Sequence, residues 1–267
     1  MVTLVRDDKP DPYVSLPYVP VVTFTLIAAC VVVFLVGPVS GLDPLYGTGA
    51  GRACAELTYY QHWGVIPSEL LDNQPLRSFR TAGCPAPAHF PKVPALSVLT
   101  AMFVHGGWLH LFGNMLFLYV FGAMVEERMG RLPFLLSYVA LGYFATYGYA
   151  LFEAHANSAG QTLVGASGAI AGVLGAYLRL YPRARVTSLL PFLLFLPLRF
   201  PAWLVLGVWF AIQWRSVHAA SAAVTGVAYV AHLIGFLGGF LFAWLLYCRR
   251  RGYSGRNSAA VLPGDLP

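Results

Sequence analysis

Residues 163–178 read LVGASGAIAGVLGAYL, an apolar segment in which nine of the sixteen residues are glycine, alanine or serine. In a helix Gly168, Gly172 and Gly175 share one face, because residues three, four and seven apart are neighbours on a helix surface. A face of this kind lets a second helix approach closely, which is a common packing device in membranes. The segment also carries the aliphatic hydroxyl of Ser167 near its start. It therefore predicts a tightly packed helix, and Ser167 is either a helix cap or a nucleophile.

The composition of the whole chain indicates a membrane protein. Of its 267 residues 58% are hydrophobic and 10% are charged, whereas about a quarter of the residues of a soluble domain are charged. The formal net charge of +6 does not indicate a nucleic-acid partner, because the basic residues are scattered between apolar runs. The lipid bilayer is the environment that this composition predicts, and no motif for a cofactor is present.

The apolar runs predict the fold class, an all-α membrane protein built as a bundle of six transmembrane helices. Residues 1–20 form a polar N-terminal tail, residues 21–250 the six-span domain and residues 251–267 a disordered C-terminal tail. Residues 38–99 contain no run that could cross a bilayer and form a long first loop outside the membrane. The predicted spans start at 21–37 and continue at about 108–125, 132–152, 163–181, 201–214 and 225–248. Pro191, Pro197 and Pro201 interrupt the apolar run 186–213. We expect its first part, 186–200, at the membrane interface.

The distribution of basic residues predicts the orientation of the bundle. With six spans, one side of the membrane receives most of the arginines and lysines of the short segments, and that side is normally cytoplasmic. Both termini are therefore predicted to be cytoplasmic, and a chain with this bias and no organelle leader favours a bacterial-type plasma membrane. The residues are Arg6, Lys9, Arg128, Arg131, Arg179, Arg183, Arg185 and Arg249–Arg251. Cys54 and Cys84 of the first loop pair if that loop faces an oxidising compartment and stay free thiols otherwise.

Polar side chains inside three of the spans converge on one depth. His110 and Asn114 are four residues apart and share a helix face, and His232 shares a face with Gly235 and Gly239. In the predicted orientation, these residues and Ser167 all lie near the outer boundary of the membrane. Polar groups in hydrocarbon are costly unless they face the bundle interior, where they either hydrogen-bond between helices or form a functional site.

These residue types suit acyl transfer. A histidine such as His232 can take the proton of Ser167 near neutral pH, and the Ser167 amide with the side chains of His110 and Asn114 can stabilise an oxyanion. No carboxylate is placed to orient the imidazole, which predicts a Ser–His dyad with packing around the ring. A zinc site from His105, His110 and His232 has no supporting spacing such as HExxH. A transporter would more typically show paired intramembrane acids or an internal repeat.

Four motifs together resemble the rhomboid family of intramembrane serine proteases. They are HGGWLHLFGN at 105–114, FGAMVEERMG at 121–130, GASGAIAGVLGAY at 165–177 and AHLIGFLGG at 231–239. The resemblance covers about residues 96–247. It implies Ser167 as nucleophile, His232 as base, and an oxyanion hole from His110, Asn114 and the Ser167 amide. It also implies single-span membrane proteins as substrates, cut near the outer face after lateral access beside the fifth span, and a structural role for His105.

One departure from the family pattern bears on the mechanism. Many relatives carry, four residues after the nucleophile, an aromatic side chain that packs on the catalytic histidine, and this chain has Ala171 there. The alternative function is a rhomboid-like pseudoenzyme or membrane chaperone that binds helices without cutting them. Such proteins characteristically lack the serine or the histidine, and this chain keeps both.

Overall fold

The computed structural model describes residues 18–75, 83–84, 92–154, 161–190, 196–218 and 228–247. Within these residues the protein is mostly helical. The predicted N-terminal tail up to residue 17, the C-terminal tail and Cys248 lie outside the described residues. The helices are α1 (Val21–Val36), α2 (Gly49–Trp63), α3 (Pro67–Asp72), α4 (Pro94–Ala101), α5 (Trp108–Phe117), α6 (Ala123–Met129), α7 (Arg131–Glu153), α8 (Ser167–Leu180), α9 (Ala202–His218) and α10 (Tyr229–Tyr247).

A helix lies at each of the six positions where the sequence predicts a span. α5 and α6 are joined by a π-helical turn, Leu118–Gly122, and form one rod from Trp108 to Met129. This rod, α7 and α10 are long and apolar enough to cross a membrane, whereas α1 and α8 are shorter apolar helices. The protein is thus a helical membrane protein, and the number of six complete spans stays a prediction.

The stretch between α8 and α9 forms a β-hairpin, which the all-α prediction did not include. Strands β1 (Arg185–Leu190) and β2 (Leu196–Pro201) pair antiparallel, with Arg185 opposite Pro201 and Leu190 opposite Leu196. Proline lacks an amide hydrogen and disrupts helix interiors, so the prolines of this stretch exclude a regular helix. The hydrophobic stretch therefore satisfies its backbone groups by strand pairing.

The first loop contains the helices α2, α3 and α4 and is cross-linked by a disulfide and a buried ion pair. Cys54 on α2 forms a disulfide with Cys84. The Lys92 ammonium lies 2.7 Å from the Glu69 carboxylate, with both side chains almost fully buried. Burial lowers the pKa of Lys92, while the hydrogen bond to Glu69 opposes that shift. The loop is thus an ordered outer layer, which we define as residues 38–75, 83–84 and 92–101.

The N-terminus of α1 is fixed to α6 by a buried carboxylate. Glu126 is fully buried and accepts hydrogen bonds from the backbone N–H groups of Val22 and Thr23 at 3.1 and 2.7 Å. It also accepts from the Thr23 hydroxyl at 2.8 Å and the Tyr18 hydroxyl at 3.2 Å. The first N–H groups of a helix have no partner within the helix, and a negative charge there is stabilising. Glu126 therefore caps α1 from a different helix.

Helix α8 is central to the bundle, and its closest neighbour is α10. Added β-carbons at Gly235 and Gly239 would strike the backbone carbonyl oxygens of Gly168 and Gly172, and one at Gly175 would strike the carbonyl oxygen of Phe236. The two backbones are thus in direct contact along the glycine faces. Only glycine permits this separation, which sets the distance between the side chains at the starts of both helices.

We expect Gly239→Ala to separate α8 from α10 and to destabilise the protein. Overpacking a tight contact typically costs about 1–3 kcal/mol, and here the obstacle is backbone that cannot rotate away. Thermal unfolding in detergent micelles measures the loss. Gly207→Ala is the matched control, since a β-carbon there meets nothing within 4 Å. Equal unfolding temperatures for both variants would contradict the close contact.

Candidate active site

The segment that leads into α8 is held by backbone hydrogen bonds to the outer layer. Leu163 exchanges two of them with Val65, at 2.9 and 2.7 Å, and the Gly165 N–H donates to the Ala101 carbonyl at 2.9 Å. Ser167 follows immediately as the first residue of α8. Its N–H belongs to the first turn, where no helical carbonyl is available as a partner. Both the hydroxyl and the amide of Ser167 thus have a defined position.

The Ser167 hydroxyl lies against the imidazole of His232. The distance from Ser167 Oγ to His232 Nε2 is 2.8 Å, which is a normal hydrogen bond. His232 is near the start of α10, so the glycine contact between α8 and α10 brings the two side chains together. Two residues that are 65 positions apart in the sequence thus form the pair that the sequence predicts.

The other ring nitrogen of His232 contacts a residue that the sequence analysis missed. His232 Nδ1 lies 2.8 Å from Oε1 of Gln213, a buried side chain on α9. An amide oxygen only accepts, so Nδ1 carries the proton and Nε2 is free to accept the proton of Ser167. A lone glutamine within an apolar run was the available signal, because polar side chains inside membrane helices often serve function.

His110 and Asn114 both come from α5 and lie beside the segment before Ser167. The Gly106 N–H donates to His110 Nδ1 at 3.3 Å, so the proton of neutral His110 is on Nε2. A β-carbon at Gly165 would lie 2.7 Å from this Nε2 and 3.7 Å from Nδ2 of Asn114. Asn114 Nδ2 is buried and makes no hydrogen bond to any of the described residues. His110 Nε2–H and Asn114 Nδ2–H, both on α5, are thus two N–H donors that lie next to Gly165, two residues before Ser167.

These residues line a cavity of about 740 Å³. Its walls include α5 on one side and α9 on the other, and its lining includes Ser167, His232, His110, Asn114, Gln213 and Trp209. A cavity of this volume can hold several side chains of a bound peptide or several waters. His105 is buried beside it, and its Nδ1 donates to the Phe103 carbonyl at 3.2 Å, with its ring 5.3 Å from that of His110.

Two aromatic rings lie near the His232 ring, one from α9 and one from α10. They are present although this chain has Ala171 at the position where many relatives carry an aromatic residue. The ring centroids of Trp209 and Tyr229 lie 6.2 and 6.3 Å from that of His232. Ala171 itself is buried in α8.

The described part of the chain contains no group of three His, Cys, Asp or Glu side chains that could hold a metal ion. The arrangement therefore suits a serine nucleophile with a histidine base and nearby N–H donors.

Comparison with known proteins identifies the same sequence region. Residues 94–249, more than half of the chain, match the profile of the Rhomboid domain. The chain is 31% identical over 159 residues to Rhomboid-like protein 11, chloroplastic, of Arabidopsis thaliana, which covers 55% of this chain and 51% of that protein. It is 28% identical over 246 residues to RHOMBOID-like protein 6, mitochondrial, of the same plant, covering 84% of this chain and 68% of the relative.

A bacterial protein is also similar. The Putative rhomboid protease YdcA of Bacillus subtilis (strain 168) is 33% identical over 81 residues, which is 30% of this chain and 39% of that protein. The alignment with the chloroplastic protein spans about half the length of that relative.

We expect Gly165→Ala to lower the reactivity of Ser167 without unfolding the protein. Gly165 has φ +117°, which is strained for any L side chain, and the added methyl would displace the His110 ring. Loss of one oxyanion donor typically costs about 100-fold or more in rate. The rate of Ser167 labelling by a small fluorophosphonate measures the effect.

Gly106→Ala is the matched control for that variant. A β-carbon at Gly106 would lie 3.6 Å from Nδ1 of the same ring, an ordinary contact, and alanine keeps the N–H donor. Similar labelling rates for Gly165→Ala and the wild type would argue against a role of His110 as donor.

Proposed function

The chain belongs to the rhomboid family, and on this basis we propose that it is an intramembrane serine endopeptidase with Ser167 as nucleophile and His232 as general base. The observation that carries the proposal is the 2.8 Å contact from Ser167 Oγ to His232 Nε2. Both side chains line a cavity whose wall also includes Asn114, and the buried Nδ2 of Asn114 makes no hydrogen bond within the described part of the chain. Family membership alone does not decide between a protease and a protein that binds helices without cutting them.

Acylation follows from the positions of the donors and acceptors. Ser167 Oγ attacks the carbonyl carbon of the scissile peptide while its proton passes to His232 Nε2. The oxyanion that forms accepts hydrogen bonds from His110 Nε2–H, Asn114 Nδ2–H and the Ser167 amide. The C–N bond then breaks, and the departing amine takes the proton from His232, which leaves an acyl ester on Ser167.

Deacylation repeats the same steps with water as the nucleophile. His232 takes a proton from water, the hydroxide attacks the ester, and the second tetrahedral intermediate uses the same donors. Its collapse returns the proton to Ser167 Oγ and releases the carboxylic acid. The cavity of about 740 Å³ at the dyad offers room for that water.

The substrates that we propose are single-span membrane proteins. Their helices would reach the cavity beside α9, which contributes Trp209 and Gln213 to the cavity wall. The substrate segment around the scissile peptide bond must unwind from a helix and become extended to enter such a site. Residues that weaken the substrate helix near the cleavage point should therefore favour cutting. The resemblance to the family implies small residues at the cleavage point.

The orientation that we propose places the site near the outer face, with both termini in the cytoplasm. The Cys54–Cys84 disulfide supports this orientation, because disulfides persist in oxidising compartments. The basic residues at the opposite ends of the helices support it as well, including Arg128, Arg179 and Arg185. A multi-pass protein of a bacterial-type plasma membrane fits this arrangement.

Reconstituted cleavage of a tagged single-span substrate with a small residue near its outer end tests the function. We expect Ser167→Ala and His232→Ala to reduce cleavage by at least about 1000-fold, as removal of either member disables a nucleophile–base pair. Ser137→Ala and His218→Ala are the matched controls. Ser137 donates to the Phe134 carbonyl on α7, and His218 is exposed at the end of α9.

Two results would contradict the proposal. Undiminished cleavage by Ser167→Ala would show that another group is the nucleophile. Binding of the substrate by the wild type without any cleavage would favour the pseudoenzyme or chaperone instead.

A further inference from the structure

We infer that Gln213 is a positioning residue that holds the His232 imidazole in the protonation pattern needed for reaction at Ser167. Its amide oxygen lies 2.8 Å from His232 Nδ1, on the opposite side of the ring from Ser167. The inference rests on the proposed function, since it concerns how the base of that reaction is prepared.

A neutral imidazole has two tautomers, and only one of them can serve as the base. The proton must be on Nδ1, so that the lone pair of Nε2 faces the Ser167 hydroxyl. A hydrogen-bond acceptor next to Nδ1 selects this tautomer, which is the task of the aspartate in soluble Ser–His–Asp proteases. Gln213 Oε1 supplies the acceptor here.

The same contact stabilises the charged intermediate state. When Nε2 takes the proton of Ser167, the ring becomes an imidazolium and Nδ1–H becomes a stronger donor. A hydrogen bond from a charged donor is shorter and roughly twice as strong as a neutral one. The bond to Gln213 therefore strengthens as the proton moves, which is the property required of a group that assists the transition state.

A neutral amide suits the surroundings of His232. The ring lies among Trp209, Tyr229 and the apolar faces of α8 and α10. A buried carboxylate in such surroundings would have a large desolvation cost whenever the ring is neutral. An amide provides the acceptor without that cost.

Two contacts to His232 come from one face of α9. Trp209 and Gln213 are four residues apart and therefore adjacent on the helix surface, and both lie against the ring. In this chain, the neighbouring helix therefore performs the task that an aromatic side chain at position 171 would perform from α8. The orientation of the base thus depends on where α9 sits.

The test compares two substitutions of similar size. Gln213→Met keeps the length of the side chain and removes the acceptor, whereas Gln213→Glu keeps an oxygen acceptor in either protonation state. We expect Gln213→Met to lower kcat by roughly 100-fold or more, by analogy with loss of tautomer control in soluble triads. KM and the unfolding temperature of Gln213→Met should stay near the wild-type values. Gln213→Glu keeps an oxygen acceptor for Nδ1–H but adds a desolvation cost, so its kcat should lie between those of Gln213→Met and the wild type.

A second readout separates the chemistry from substrate binding. The rate of Ser167 labelling by a small fluorophosphonate requires the activated serine but no helical substrate. We expect Gln213→Met to slow this labelling to a similar extent as kcat. Gln61→Met, the same change on α2 in the outer layer, is the matched control and should leave both rates unchanged.

The outcomes distinguish this inference from the proposed function. A Gln213→Met variant that cleaves and is labelled like the wild type would overturn the role of Gln213 alone. So would a variant that loses activity through a higher KM or a lower unfolding temperature and is not rescued by glutamate. A wild type that is neither labelled nor able to cleave would overturn the proposed function and the role of Gln213 with it.

Discussion

The contact between the backbones of α8 and α10 is the constraint on which the other features of the site depend. Lipid is as apolar as the helix surfaces, so membrane helices associate through close packing and hydrogen bonds rather than through the hydrophobic effect. Here the packing is between main chains, with Gly235 and Gly239 against the carbonyls of Gly168 and Gly172. The hydrogen bond between Ser167 and His232 is a consequence of this separation. Each larger side chain at the interface would move the hydroxyl away from the imidazole.

Hydrogen bonds of buried polar groups connect the parts of the protein around the packed pair of α8 and α10. Glu126 on α6 lies inside the region matched by the family profile and fixes the start of α1, which lies outside that region. The paired backbone hydrogen bonds between Val65 and Leu163 fix the outer layer to the segment before Ser167. These hydrogen bonds pair donors and acceptors that would otherwise be buried without partners. They therefore stabilise the fold and favour one arrangement of the helices over others. The outer layer is thus part of the support of the site.

The sequence was informative wherever a helical period or a motif spacing determined the outcome. The apolar runs predicted the positions of six helices. The spacing of His110 and Asn114, and of His232 with the glycines of its helix, predicted which residues share a helix face and that these polar side chains point into the bundle. It was less informative where structure depends on tertiary contacts. The helices of the first loop have no long apolar run, and the hairpin of β1 and β2 follows from prolines whose effect was read only as an interruption. Gln213 was missed because its role depends on the direction in which α9 faces.

The π-helical turn Leu118–Gly122 relates the two ends of the rod from Trp108 to Met129. Each residue of an α-helix turns the chain by about 100°, and a π-turn accommodates one residue more than an α-turn. His110 and Asn114 lie on the N-terminal side of this turn, and Glu126 lies on its C-terminal side. The turn therefore fixes the angle between the face that points to the cavity and the face that points to α1. An insertion or deletion of one residue in this turn would rotate the face that carries His110 and Asn114 by about 100° relative to the face that carries Glu126. The length of the turn therefore matters as much for the relative direction of the two faces as the side chains on them.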